Sequence, residues 1–99
     1  MIIEQQNQQS LNEWRVKIFK ALADETRLAI IKLLHQTGRE MNCTEVGDRC
    51  EASKSNASYH FRTLREAGLI KVRKEGQTRY MCIHADTFEQ ILPGFLDTL

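Results

Sequence analysis

The sequence predicts a mainly α-helical domain of five helices carrying one two-stranded β-hairpin, in a unit that pairs with a second copy of itself. Three observations carry that prediction. Apolar residues recur every three or four positions through five stretches of the chain. Between Ile70 and Ile83 the period falls to two and reverses around Gly76-Gln77, the pattern of a hairpin. The first and last helices also carry wider apolar stripes than a chain of 99 residues buries alone.

Residues 1–10, MIIEQQNQQS, read as a polar N-terminal arm ahead of the domain, 11–99. They lack the basic and then apolar order of a secretory signal. Ser10 is a candidate cap for the first helix, with Glu13 completing a capping box, and Leu11, Trp14, Ile18, Phe19 and Leu22 form its apolar stripe. Asp24 caps a second helix, ETRLAIIKLLHQ, whose apolar arc is too wide for a surface position and marks it as central; Gly38 ends it. Met41 to Cys50 reads as a short third helix anchored by Met41 and Val46, with Gly47 lowering its intrinsic stability. After a loop of about three residues, Ser53 caps the fourth helix, 53–67. Ala57, Phe61, Leu64 and Ala67 turn inward on it, leaving Lys54, Ser55, Asn56, Ser58, Tyr59, Arg62 and Arg65 to solvent.

The hairpin, 70–83, carries Lys71, Arg73, Lys74 and Arg79 on its arms and tip. The last segment, 85–99, aligns Phe88, Ile91, Leu92, Phe95 and Leu96, and Pro93-Gly94 interrupts it with a kink or a break. A short helix, a tight turn, a helix with a polar start and then a basic hairpin is the winged helix-turn-helix arrangement.

Charge is concentrated where that arrangement needs it. Residues 53 to 79 hold seven Lys or Arg against two Glu, a net of +5 that leaves −4 for the rest of a chain of net charge +1. Such a face suits a polyanion, and short polar groups followed by arginines suit base edges and phosphates of the major groove. The same surface would also serve a winged-helix module that contacts a protein; a steep loss of affinity with salt separates the two. An enzyme finds no support, because His35, His60 and His84 are scattered and there is no glycine-rich phosphate loop. No stretch is apolar enough to cross a bilayer, and three cysteines without a secretory signal point to free thiols in a reducing cytoplasm.

FKALADETRLAIIKLL (19–34), SKSNASYHFRTLREAGLIKVRKEGQTRYMCI (53–83) and the closing apolar segment together resemble the ArsR/SmtB family of bacterial winged-helix repressors. The resemblance implies a homodimer joined through its first and last helices, with Leu11, Trp14, Ile18, Phe88, Ile91, Leu92, Phe95 and Leu96 at the interface. It implies an operator in double-stranded DNA, read by Ser53, Lys54, Ser55, Asn56, Ser58, Tyr59 and His60, with Arg62 and Arg65 on phosphate and Arg73, Lys74, Gln77 and Arg79 on the wing. Two such helices about 34 to 36 Å apart match successive major grooves of a pseudopalindrome.

The trigger for release departs from the family's metal sensors. Where those carry C-x-C in the third helix, this chain has Glu40-Met41-Asn42-Cys43-Thr44-Glu45-Val46, with Cys43 between the two thiol positions. His84 and Asp86 begin the closing-helix zinc pattern, but its later histidines are missing. No metal or cofactor is therefore expected. Oxidation of Cys43 or Cys50 is the alternative trigger. Seven residues apart, they lie roughly 10 Å from each other along a helix, too far for a disulfide without unwinding. Against that stands the reading of both as small buried cysteines of the usual inert kind.

Overall fold

The computed structural model describes residues 2–99, with side chains from residue 9 onward. The chain runs α1 (Ile2–Leu22), α2 (Glu25–Thr37), β1 (Met41–Asn42), α3 (Cys43–Arg49), α4 (Lys54–Glu66), β2 (Ile70–Glu75), β3 (Thr78–Ile83), α5 (Ala85–Ile91) and a 3-10 turn (Leu96–Thr98). These are the five helices and the hairpin that the periodicities predict. The differences lie at element ends and in one added two-residue strand, β1.

Helix α1 begins at Ile2, so Ser10 sits inside it rather than capping it. The Gln- and Glu-rich residues before Ser10 are good helix formers, and extending an existing helix costs far less than nucleating one. Of the expected polar arm, the side chains of residues 1–8 lie outside the described residues. Helix α2 has the caps its sequence announces. Asp24 Oδ2 accepts the Arg27 N–H at 2.9 Å, and Gly38, at φ 68, donates its N–H to the Leu34 carbonyl at 3.1 Å.

Ile30, Ile31 and Leu34 of α2 form the centre of the core, against Ile18 and Ala21 of α1, Leu64 of α4, and Leu69, Ile70, Met81 and Phe88 beyond it. Burying each large aliphatic side chain contributes about 1.5–3 kcal/mol, and this layer is what the helices share. Ile18 is 0% exposed and Phe88 2%, so both belong to the core of a single chain and not to an interface between chains. Phe95 lies half-buried and stacks on Phe88 with ring centroids 6.2 Å apart. Part of the closing stripe is thus used within its own chain. Pro93-Gly94, with Gly94 at φ 84, ends α5 outright instead of kinking it.

The sheet has three strands, ordered β1-β3-β2 and antiparallel throughout. Its first strand is absent from the sequence reading, which ran helix through Met41 and Asn42. Asn42 in fact leaves the sheet as the cap of α3, its Oδ1 accepting the Thr44 and Glu45 N–H groups at 2.8 and 3.2 Å. Asn42 followed three residues later by Glu45 is the sequence signal that marks this start. In the hairpin, Glu75 pairs with Thr78, and Gly76, at φ 61, takes the first of the two turn positions.

Trp14 ties α1 to the far end of α4. Its indole N–H donates to the Ala67 carbonyl at 2.8 Å, and a Cβ placed on Gly68 would stand 3.6 Å from the indole nitrogen. Trp14→Phe removes the donor together with one of the two fused rings of the indole, leaving the carbonyl without its partner and part of the contact beside Gly68 unfilled. The expected cost is at least about 1 kcal/mol, read as a melting temperature lower by roughly 4–8 °C or more.

Candidate nucleic-acid interface

Helices α3 and α4 approach each other where both side chains are smallest: a Cβ on Gly47 would meet the Ala57 Cβ at 3.4 Å. The turn between them closes through the Ala52 N–H to the Gly47 carbonyl at 3.0 Å and the Glu51 N–H to the Asp48 carbonyl at 3.2 Å. Glu51 adopts φ 55, the left-handed conformation that a side chain disfavours. Ser53 Oγ then accepts the Asn56 N–H at 3.3 Å and starts α4, as the sequence predicts.

Only Ala57 and Leu64 of α4 are buried. Lys54, Ser55, Asn56, Ser58, Tyr59, Arg62 and Arg65 are all exposed. A cleft of about 640 Å³ runs between α3, α4 and the sheet. Cys43, Ala57, Phe61 and Val72 line it, together with Ser58, the cations Lys54, Arg62, Arg65 and Arg79, and the single carboxylate of Asp48. Among the described residues none of those four cations forms an ion pair. Ser55, Asn56 and Tyr59 stand outside the cleft on the exposed side of the first turns, while Lys74 and Gln77 are exposed near the hairpin tip.

Two of the residues assigned to DNA by sequence are engaged elsewhere. His60 turns inward: its side chain is 14% exposed, and Nδ1 lies 3.0 Å from Arg27 Nη1 and 3.9 Å from Asp24 Oδ2. The N–H that Asp24 accepts from Arg27 holds its carboxyl below the usual range, against the burial that would raise it. Arg73 is held by carboxylates. Its Nε donates to both oxygens of Glu40, at 3.0 and 2.9 Å, and its Nη1 to Glu75 at 3.0 Å, while the guanidinium lies 4.7 Å from the Tyr80 ring centroid. The Glu40 hydrogen bonds, then those of Glu75, drive its pKa above the ordinary arginine value, so its charge is permanent but already matched. Charge counting along the sequence cannot see this, because Glu40 lies 33 positions away. Arg27 itself, 9% exposed, went unrecognised as a site residue, since a cation in the first turn of a helix looks like a surface residue.

Cys43 and Cys50 are half-buried free thiols. Burial pushes both thiols up, with Arg79 opposing at Cys43 and Arg49 at Cys50. Oxidant-sensing cysteines have the reverse property, a thiolate present at neutral pH. Among the described residues no three of His, Cys, Asp and Glu gather as a metal site, and no helix is long and apolar enough to cross a membrane.

A family described as a helix-turn-helix domain matches residues 22–73, from the end of α1 into β2. The chain is 55% identical over 91 residues to an uncharacterized HTH-type transcriptional regulator, YceK, of Bacillus subtilis, covering 92% of this chain and 91% of that one. It is 43% identical over 65 residues to the arsenical resistance operon repressor of Escherichia coli, 63% of this chain and 52% of that protein. In three dimensions it resembles the homodimeric winged helix-turn-helix DNA-binding domain of a possible ArsR-family transcriptional regulator from Mycobacterium bovis. That match has a TM-score of 0.78 at 25% identity, over 92% of this chain and 82% of that one.

The thiols give this site its own test. With their pKa values raised, both cysteines should react with iodoacetamide more slowly than a free thiol at pH 7 and gain rate only as the pH climbs past the ordinary thiol range. Rapid alkylation of either at pH 7, followed by mass spectrometry, would contradict the burial described.

Proposed function

This chain belongs to the ArsR family of winged helix-turn-helix transcriptional regulators, and from that premise we propose that it is a dimeric repressor whose α4 enters the major groove of a pseudopalindromic operator. The observation that carries the proposal is the gathering of Lys54, Arg62, Arg65 and Arg79, without ion-pair partners, around one cleft beside the polar start of α4. Those four cations hold the phosphate backbone and set the register. Ser55, Asn56, Ser58 and Tyr59 face the base edges, Ser53 holds the helix start close to the backbone, and Lys74 and Gln77 reach the neighbouring backbone or minor groove from the hairpin tip. Arg73 and His60 act on the protein side and leave DNA to the others. The protein works in the cytoplasm, where its operator lies, and performs no catalysis.

Dimerisation supports the same reading. Val16 and Phe19, one helical turn apart on α1, are 51% and 54% exposed, an unusual position for large apolar side chains. With Leu11, Trp14, Ile91, Leu92, Phe95 and Leu96, all half-buried, they supply the surface that a second copy covers. Val16 lies two places from both Trp14 and Ile18 of the periodic stripe, which is why spacing alone does not select it. Any release of DNA by thiol oxidation has to overcome the raised thiol pKa values, so a repressor without an oxidant trigger is the better supported form.

Footprinting the protein on its own upstream region tests the proposal. Binding should weaken steeply with salt, and Arg62→Ala, Arg65→Ala or Arg79→Ala should each reduce affinity for all sequences and lower the log–log salt slope by about 1. Asn56→Ala should instead alter which bases are protected. Loss of binding without a salt slope would favour the protein-interaction module. Phe19→Glu should shift the sedimentation of the protein toward the monomer and weaken operator binding along with it; an unchanged dimer would remove α1 from the interface.

A further inference from the structure

The Arg27 guanidinium joins two helices without touching a carboxylate through either contact. Its Nε–H donates to the Ala21 carbonyl at 2.6 Å and its Nη2–H to the Lys20 carbonyl at 3.3 Å. Both carbonyls lie in the last turn of α1, where intrahelical donors run out. On the other side Nη1–H donates to His60 Nδ1 at 3.0 Å. A guanidinium has no acceptor, so Nδ1 must offer its lone pair, and the imidazole in this arrangement carries its proton on Nε2. The imidazole in turn lies against Tyr59, with ring centroids 5.4 Å apart, and the Arg27 Cζ lies 6.0 Å from the Tyr59 ring centroid.

We infer that Arg27 is a positioning residue for DNA reading: through His60 it fixes the rotation of α4 about its own axis relative to α1, and so aims Tyr59 and its neighbours. The inference rests on the assignment of α4 to the major groove. Apolar burial specifies that rotation only in part, because Ala57 and Leu64 are the fully buried residues of the helix and Phe61 lies half-buried against the core. A charge-assisted bond through a group 9% exposed supplies the missing directional term.

Variants of His60 separate aiming from folding. His60→Asn places an amide oxygen where Nδ1 accepts; His60→Leu fills the space with no acceptor. Each is titrated against a duplex carrying the footprinted site and a random duplex of equal length, with melting temperatures alongside. His60→Leu should lose about tenfold in affinity for the site, the scale of one charge-assisted hydrogen bond, and less than about twofold for the random duplex. His60→Asn should retain most of the site affinity. Unchanged site affinity in His60→Leu overturns the inference, as does equal loss in both variants or a parallel fall on both duplexes. Nitrogen chemical shifts of His60 in the free protein give a readout that needs no DNA. The Nε2–H form supports the clamp even if no operator is found, whereas the Nδ1–H form removes it whatever the footprint shows.

Discussion

The placement of a thirteen-residue helix by very little apolar area governs this molecule. Most core helices are located by a broad greasy stripe, but α4 surrenders most of its circumference to polar side chains and keeps Ala57 and Leu64 inside, with Phe61 half-buried beside them. Two polar ties make up the difference. Trp14 holds its C-terminal end through the Ala67 carbonyl, and Arg27 holds its middle through His60. Trp14 belongs to α1, the helix that also carries the exposed Val16 and Phe19, and Arg27 of α2 reaches the same helix through the Lys20 and Ala21 carbonyls. The exposed apolar pair on α1 and the polar face of α4 are therefore linked through two hydrogen-bonding side chains, Trp14 of α1 and Arg27 of α2.

Much of this was legible in the sequence, for reasons that are local. Asp24 and Ser53 act as caps where an oxygen must meet an orphan N–H within three residues, and Gly38 and Gly76 occupy left-handed positions that their neighbours in sequence already demand. The polar first turn of α4 is visible because helical periodicity alone says which residues turn away from the core. What could not be read depends on partners distant along the chain. Nothing near Arg73 announces Glu40, nothing near His60 announces Arg27, and the two-residue strand at Met41 exists only because β3 arrives to pair with it. The closing stripe misled for a related reason: spacing aligns Phe88 and Phe95, but only the chain break at Pro93-Gly94 lets one ring fold back on the other.

The cations divide on the same principle. Sequence counts them alike, whereas the fold sorts them by what stands opposite. Lys54, Arg62, Arg65 and Arg79 share a cleft in which Asp48 is the one carboxylate and, among the described residues, pairs with none of them, so most of their field is available to an anion. Arg27 and Arg73 are consumed by the protein, one by carbonyls and an imidazole, the other by two glutamates. A basic segment of +5 thus delivers less free charge to a ligand than its composition suggests, and delivers it chiefly at the cleft, with Lys71 and Lys74 apart on the hairpin.

The strand order gives the Arg73 contacts a mechanical meaning. Arg73 on β2 sits directly opposite Tyr80 on the middle strand, and Glu40 immediately precedes β1 on the far side. The guanidinium accordingly straps all three strands together over an aromatic ring. An isolated two-stranded ribbon would flex freely and surrender much of its disorder on meeting a duplex. Braced in this way, the hairpin is a stiff outrigger whose tip, with Lys74 and Gln77 exposed, holds one position and has little conformational freedom left to forfeit.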